Sequence, residues 1–193
     1  MKPNTTSSMP IRLGIAAMAA AAAVPAAAAT VLAAAAGTTV ELGGLKAEAP
    51  AAWKEVEVKS PMRLKQFTVP GKGGDAELVI FYFGQGQGGS VEDNLARWKK
   101  QFEPPAGKTA DQISKTETLK LPSTTATLLD ISGTYLFKAR PMDPGPGEPR
   151  PNHRMLAAVL ETPKGSHYIR LVGPEKTVGD ARKDFVRWLK SFK

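Results

Sequence analysis

Residues Leu78 to Phe102, LVIFYFGQGQGGSVEDNLARWKKQF, constrain the fold more than any other stretch of the chain. They open with six consecutive apolar or aromatic residues, Leu78 to Phe83, cut off by Gly84. A run that short, β-branched and aromatic, predicts a strand and not a helix. It does not alternate with polar residues, so both faces must be covered, which puts it inside a sheet. A helix follows. Ser90 and Asp93 have the S-x-x-D spacing of a capping box, in which the hydroxyl accepts from the Asp93 amide and the carboxylate reaches back. Glu92 and Asp93 put negative charge in the first turn, where the helix dipole favours it. Val91, Leu95, Trp98 and Phe102 form one apolar stripe, with Arg97, Lys99 and Lys100 off it. Pro104-Pro105 forbids continuation.

Between strand and helix lies Gly84-Gln-Gly86-Gln-Gly88-Gly89, formally G-x-G-x-x-G. Amides at a helix start attract phosphate, so a dinucleotide site is one reading. Three features oppose it. The helix begins after the third glycine, no strand ending in an acidic residue follows about twenty residues on, and only two long helices are visible. No Lys-Ser or Lys-Thr closes the motif as a P-loop would. The stretch reads as a mobile glycine turn.

The first residues read as a targeting segment. Lys2 and Arg12 form a basic start, and Leu13 to Gly37 is almost wholly Ala, Val, Leu, Ile and Met, with many Ala-x-Ala positions near its end. Residues 1–37 are therefore expected to be a signal peptide. An uncleaved membrane anchor is the alternative, since the run is long enough to span a bilayer; Pro25 and the small residues favour cleavage. The expected location is secreted or periplasmic, with membrane contact only transient. The chain has no cysteine, which excludes a lipoprotein thiol and disulfides. Residues 38–193 suffice for one domain with its own core. Removing Lys2 and Arg12 takes the basic count from 26 to 24 against 18 acidic residues, a net charge of +6. These charges are scattered and interleaved, unlike the clustered stripe of a nucleic-acid surface, so no nucleic acid is expected as partner.

Along the rest of the chain, Val40 to Leu45 reads as a strand bent at Gly43-Gly44, and Lys54 to Val58 as an edge strand. Met62 to Val69 alternates with one slip between Leu64 and Phe67, which implies a bulge. Ile113 to Leu121 is a weakly alternating edge strand. Thr125 to Phe137 is a long strand with a bulge or kink at Gly133. Lys138 to Arg154 holds five prolines in seventeen residues and is expected to be a long exposed loop. Met155 to Thr162 and His167 to Val172 pair as a hairpin. A closing helix is expected from Thr177, with Thr177 and Asp180 as a second capping box and Val178, Ala181, Phe185, Trp188 or Leu189, and Phe192 buried. Hairpins outnumber crossovers, so the fold class is α+β, an antiparallel β-sheet flanked by helices.

This order, with the Pro50-x-x-Trp53 entry, the hairpin-linked strands, a helix carrying Asn94 and Trp98, and a terminal Phe185 to Phe192 helix after a glycine-ended hairpin, resembles the PsbP-like fold. The resemblance implies an α/β/α sandwich. It also implies a binding or accessory domain, since that fold is found in photosystem subunits, a Ran-binding import factor and many secreted bacterial proteins of unknown role. No family site residue matches a position here.

Chemistry-bearing motifs are few. His153 and His167 stand without metal-ligand spacing, and no calcium loop or G-x-S-x-G elbow occurs. No catalytic residue, metal or cofactor is therefore assigned. The three tryptophans read as core, not sugar platforms. Two exposed features stand as candidate binding elements: the glycine turn, with Gly84, Gly86, Gly88, Gly89 and Ser90, and the proline segment, with Arg140, Arg150 and Arg154. Both are expected at one end of the sheet. The expected function is a secreted, non-enzymatic accessory or binding domain that contacts a protein or envelope component. The alternatives are a hydrolase with an unrecognised site, for which His167 and Glu161 are the residues to test, and an anion or ligand carrier using the glycine-turn amides.

Overall fold

A computed structural model describes residues 37–139 and 144–193. Among them the order is β1 (Thr39–Leu42), β2 (Leu45–Glu48), β3 (Lys54–Val56), β4 (Arg63–Val69), β5 (Ala76–Phe81), α1 (Val91–Lys99), β6 (Phe102–Glu103), β7 (Ser114–Lys120), β8 (Thr125–Phe137), β9 (Glu148–Leu160), β10 (His167–Pro174) and α2 (Glu175–Lys190). The segment expected to be a signal peptide lies outside the described residues except for Gly37. No helix among the described residues is long and apolar enough to cross a membrane.

β1 and β2 pair as a separate hairpin, and the other strands form one sheet in the order β3-β4-β5-β10-β9-β8-β6, with β7 also on β8. Every pairing is antiparallel. The fold is thus α+β, mostly antiparallel sheet with two helices. β5 is an interior strand, between β4 and β10, and Leu78, Val79 and Ile80 are sealed from solvent. That is the placement the apolar run required, although the strand ends at Phe81 and Phe83, beyond it, is exposed.

Strand alternation sorts the core into two clusters. Leu78 and Ile80 of β5, Leu156 and Leu160 of β9, and Ile169 and Leu171 of β10 pack with Phe185, Trp188 and Phe192 from α2 and its end. The β1-β2 hairpin and Trp53 join this cluster, and Lys193 exchanges two backbone hydrogen bonds with Lys46. The intervening residues, Met155, Ala157 and Val159 of β9 with Tyr168 and Val172 of β10, pack with Trp98 of α1. Trp53, Trp98 and Trp188 are all buried, as core tryptophans.

The α1 capping box forms as expected: the Asp93 amide donates to Ser90 Oγ at 3.0 Å, and the Ser90 amide to Asp93 Oδ2 at 3.4 Å. The irregularity read at Gly133 is present as a register shift between Gly133 and Tyr135 in β8, while that in β4 lies between Arg63 and Lys65, earlier than the expected slip between Leu64 and Phe67.

Four expectations are corrected. Gly43-Gly44 does not bend one strand; with φ of +58° and +94°, the pair forms the two-residue turn of the β1-β2 hairpin, which demands left-handed backbone. Phe102 does not extend the α1 stripe; it belongs to β6 and stays buried beside Trp98. Thr177 does not cap α2. The helix starts at Glu175, after Pro174 with φ −52°, and Thr177 lies buried in its first turn, donating to the Gly74 carbonyl at 2.7 Å. Asp180 pairs instead with Lys176, at 2.9 Å.

The fourth correction concerns the proline segment, whose second half is strand. Glu148 to Asn152 extend β9, and of these Glu148 to Arg150 pair with β8 alone, because β10 ends opposite His153. The Leu136 amide donates to the Gln101 carbonyl at 2.8 Å, away from β9. Its partner Pro149 must therefore turn its nitrogen away from β8, toward the open side. Pro151 falls in the register shift between Arg150 and His153, where it has no ladder partner. Both prolines thus sit where a missing N–H costs no ladder bond, and they blunt a bare edge.

Candidate functional site

The two sets of candidate binding residues lie at opposite ends of β10. The glycine turn packs at its start: Tyr168 Oη lies 3.1 Å from the carbonyls of both Gln87 and Gly89. The proline segment joins the sheet beside its last residues, Gly173 and Pro174, which stand opposite Arg154 and His153. Six residues of strand put roughly 20 Å between these ends. The expectation of one shared end is corrected.

Gly84, Gly86, Gly88 and Gly89 all have positive φ, which explains the glycines. A Cβ on Gly88 would come within 2.5 Å of the Tyr168 ring. Asn94, fully buried, donates through Nδ2 to the carbonyls of Gly88 at 2.9 Å and Ser90 at 2.8 Å. The Ser90 amide and hydroxyl both engage Asp93. The turn is thus pinned through its carbonyls, and a carboxylate already holds the helix start. An anion there would meet Glu92 and Asp93.

The three arginines also separate. Arg140 lies outside the described residues. Arg154 makes a two-pronged bond to Asp130, Nε to Oδ1 and Nη2 to Oδ2, both 2.7 Å. Arg182 of α2 adds a bond to Asp130 at 2.9 Å and one to Glu117 at 2.6 Å. Burial pushes the Asp130 carboxyl up, but the hydrogen bonds from Arg154 and Arg182 outweigh it and hold the group below the usual range. Arg154 is thereby committed to tying β8, β9 and α2 together.

Arg150 points elsewhere. It helps to line a cavity of about 400 Å³ that also includes Arg63, Asp75, Glu77, Tyr135, Lys138, His153 and Arg170. The cavity lies on the side of the sheet that carries Tyr168 and Val172, at the β10 end nearer Pro174. Its walls divide by charge. On the β5 side, Glu77 accepts from Arg63 at 2.8 Å and from Gln66 at 2.9 Å. Asp75 has no ion pair among the described residues. On the β8 and β9 side, the Arg150 guanidinium lies 3.6 Å above the Phe137 ring, with Glu148 at 3.4 Å. The His153 ring runs nearly parallel to that of Tyr135, and its Nδ1 lies 2.9 Å from the Pro151 carbonyl. A carbonyl only accepts, so Nδ1 carries a proton.

Arg170 stands between these walls. One terminal nitrogen donates to Gln101 Oε1 at 3.1 Å. Its Nε is buried without a partner, and no carboxylate among the described residues forms an ion pair with it. Burial pulls the guanidinium below its ordinary pKa, with Tyr135 and Glu77 opposing; arginine nonetheless stays charged. An orphaned buried donor costs about 1–3 kcal/mol, and a half-satisfied buried cation beside a cavity is what an absent acceptor would complete. The sequence reading missed Arg170, Arg63 and Asp75. A signal was present for the first: Arg170 is the single charge inside the apolar run His167 to Val172.

A larger, more open hollow of about 870 Å³ lies beside Trp188, but its charged residues, such as Glu48 and Arg187, are solvent-exposed. Trp188 lines it with a buried Nε1 that lacks a partner, but that donor is neutral, whereas Arg170 carries a charge.

No protein-family model matches the chain, and no curated protein matches it. Solved structures do. A protein of unknown function from Pseudomonas aeruginosa aligns over 80% of this chain and 94% of its own, at 16% identity and a TM-score of 0.42. The cyanobacterial PsbP protein of Synechocystis sp. PCC 6803, CyanoP, aligns over 82% of this chain and 92% of its own, at 15% identity and a TM-score of 0.49. The second carries the fold that the sequence resembles.

Proposed function

We propose that the protein is a secreted, non-enzymatic accessory domain that holds an anionic group of a protein or envelope component in the arginine-lined cavity. The observation that carries this reading is Arg170, a guanidinium with an orphaned buried Nε and no carboxylate partner, at a cavity that Arg63, Lys138 and Arg150 also line. Arg63, Arg150 and Arg170 line the cavity together with Asp75 and Glu77, and the net charge of +6 over residues 38–193 adds a field that attracts anions. Lys138 and Ala139 line the cavity where the proline segment leaves β8, and Arg150 where it enters β9. The segment expected to be a recognition loop thus brackets this site, while the glycine turn has no part in it. The α/β/α layering belongs to the same proposal, supported by the two core clusters with one helix in each.

Thermal denaturation in acetate or phosphate at constant ionic strength tests the reading. A ligand at a hundredfold excess over its Kd stabilises by about 2.7 kcal/mol, which raises the Tm of a chain this size by roughly 5–10 °C. Stabilisation absent from Arg170→Gln supports the cavity as the site; equal stabilisation of both proteins refutes it. N-terminal sequencing of protein recovered from the envelope or medium tests secretion. A processed start near residue 38 is expected, and an intact Met1 refutes cleavage.

A further inference from the structure

We infer that the group held in the cavity is a zwitterion of the amino-acid type, a carboxylate carried beside a free ammonium, and not a phosphate or sulfate. The inference rests on the binding reading above and names its ligand class. An oxyanion site for a doubly charged group would be cationic throughout, yet this cavity has a carboxylate wall. Asp75, just before β5, and Glu77, within it, face a cationic side formed by Arg170 and Arg150. The two carboxylates differ. Glu77 is neutralised by Arg63 at 2.8 Å, whereas Asp75 has no ion pair among the described residues. One charge of each sign therefore has no ion-pair partner among the described residues, the solvent-exposed Asp75 on one wall and Arg170, whose Nε is buried, between the walls.

Their separation fits a small ligand. Arg170 stands opposite Val79 and Val172 opposite Glu77, which carries Asp75 to the level of Pro174. Four residues of strand place the two backbones roughly 13 Å apart along the sheet. Both residues line the one cavity of about 400 Å³, a volume that suits an amino acid or a dipeptide. A carboxylate on Arg170 supplies the missing acceptor for Nε in the fork geometry that guanidinium favours. An ammonium on the exposed Asp75 adds an ion pair in place of solvent, a weaker contact than the one on Arg170. A dianion would gain the first contact but would be repelled by Asp75 and Glu77.

Isothermal titration of the intact protein with glutamate, with glycylglycine, with their N-acetylated and carboxyl-amidated forms, and with inorganic phosphate tests this. Binding of the free zwitterions is expected, weakened about tenfold or more by the carboxyl block, which removes a charge-assisted contact at a buried donor, and about two- to fivefold by the amine block, which removes an exposed ion pair. In Asp75→Asn, N-acetylated and free forms should bind alike. In Arg170→Gln, binding of both should be lost while folding, followed by circular dichroism, is kept. Free amino acid binding better than dipeptide places the cavity as a closed subsite, and the reverse order places it as a reader of peptide ends; either supports the inference. Phosphate binding more tightly than any zwitterion overturns it but leaves the anion-binding function standing. Failure of every probe in the wild-type protein overturns both.

Discussion

Tyr168 and Asn94 hold the glycine turn from within. One phenol proton is shared between two carbonyls, and one buried amide reaches two more. Tyr168→Phe should cost about 1 kcal/mol in urea unfolding. Asn94→Asp should cost more, because a carboxylate replaces a donor that faces two carbonyls. Equal losses would show that the amide hydrogens are not what holds the turn. His167 poses a different test. It is 3% exposed and stacks on Tyr82, and its Nδ1 has no partner. Burial lowers its pKa, against a backbone hydrogen bond at Gly165. The unfolded chain therefore takes up a proton first as pH falls through about 6.5. Stability is complete above that pH and declines below it until the folded-state pKa is passed. Urea midpoints at pH 7.5 and pH 5 should differ for the wild type and differ less for His167→Gln. An unchanged difference would remove His167 as the source.

At the scale of elements, the two helix starts separate what local pattern can and cannot reveal. Ser90 and Asp93 are both exposed to solvent, so local hydrogen bonding decides and the capping box forms. Thr177-x-x-Asp180 has the same spacing, but Thr177 is buried against the loop after β4, where a Cβ on Gly71 would meet it at 2.3 Å. There tertiary packing decides, and Pro174 starts the helix. Ser90→Ala should lose about 1 kcal/mol through its helix. Thr177→Ser should retain the bond to Gly74 and Thr177→Val should lose it, with helix content unchanged in both. A drop in helix content for Thr177→Val would restore Thr177 as a cap. The proline strand was illegible for a related reason. Proline excludes an interior strand but not an edge, and which side of β9 is bare depends on where β10 stops, a fact of tertiary pairing.

Across the whole molecule, periodicity sufficed for the sheet. The unbroken run of β5, the bulge at Gly133 and the α2 stripe were all readable, because each reports burial by its immediate surroundings. The cavity was not, since its residues come from β4, β5, β8, β9 and β10 and meet only through strand register. Charge position separates two arginines that look alike in sequence. Arg154 is saturated by Asp130, and Asp130→Asn should destabilise by about 1.5–3 kcal/mol by stripping charged partners from Arg154 and Arg182. Arg170 has no such partner, so its removal should cost little stability and should cost binding. Nitrogen-15 NMR of the arginine side chains tests this division most directly. On titration with glutamate, the Arg170 Nε–H resonance should move saturably while those of Arg154 and Arg182 stay in place. An Arg170 resonance that does not move while the ligand binds would contradict the cavity as the site.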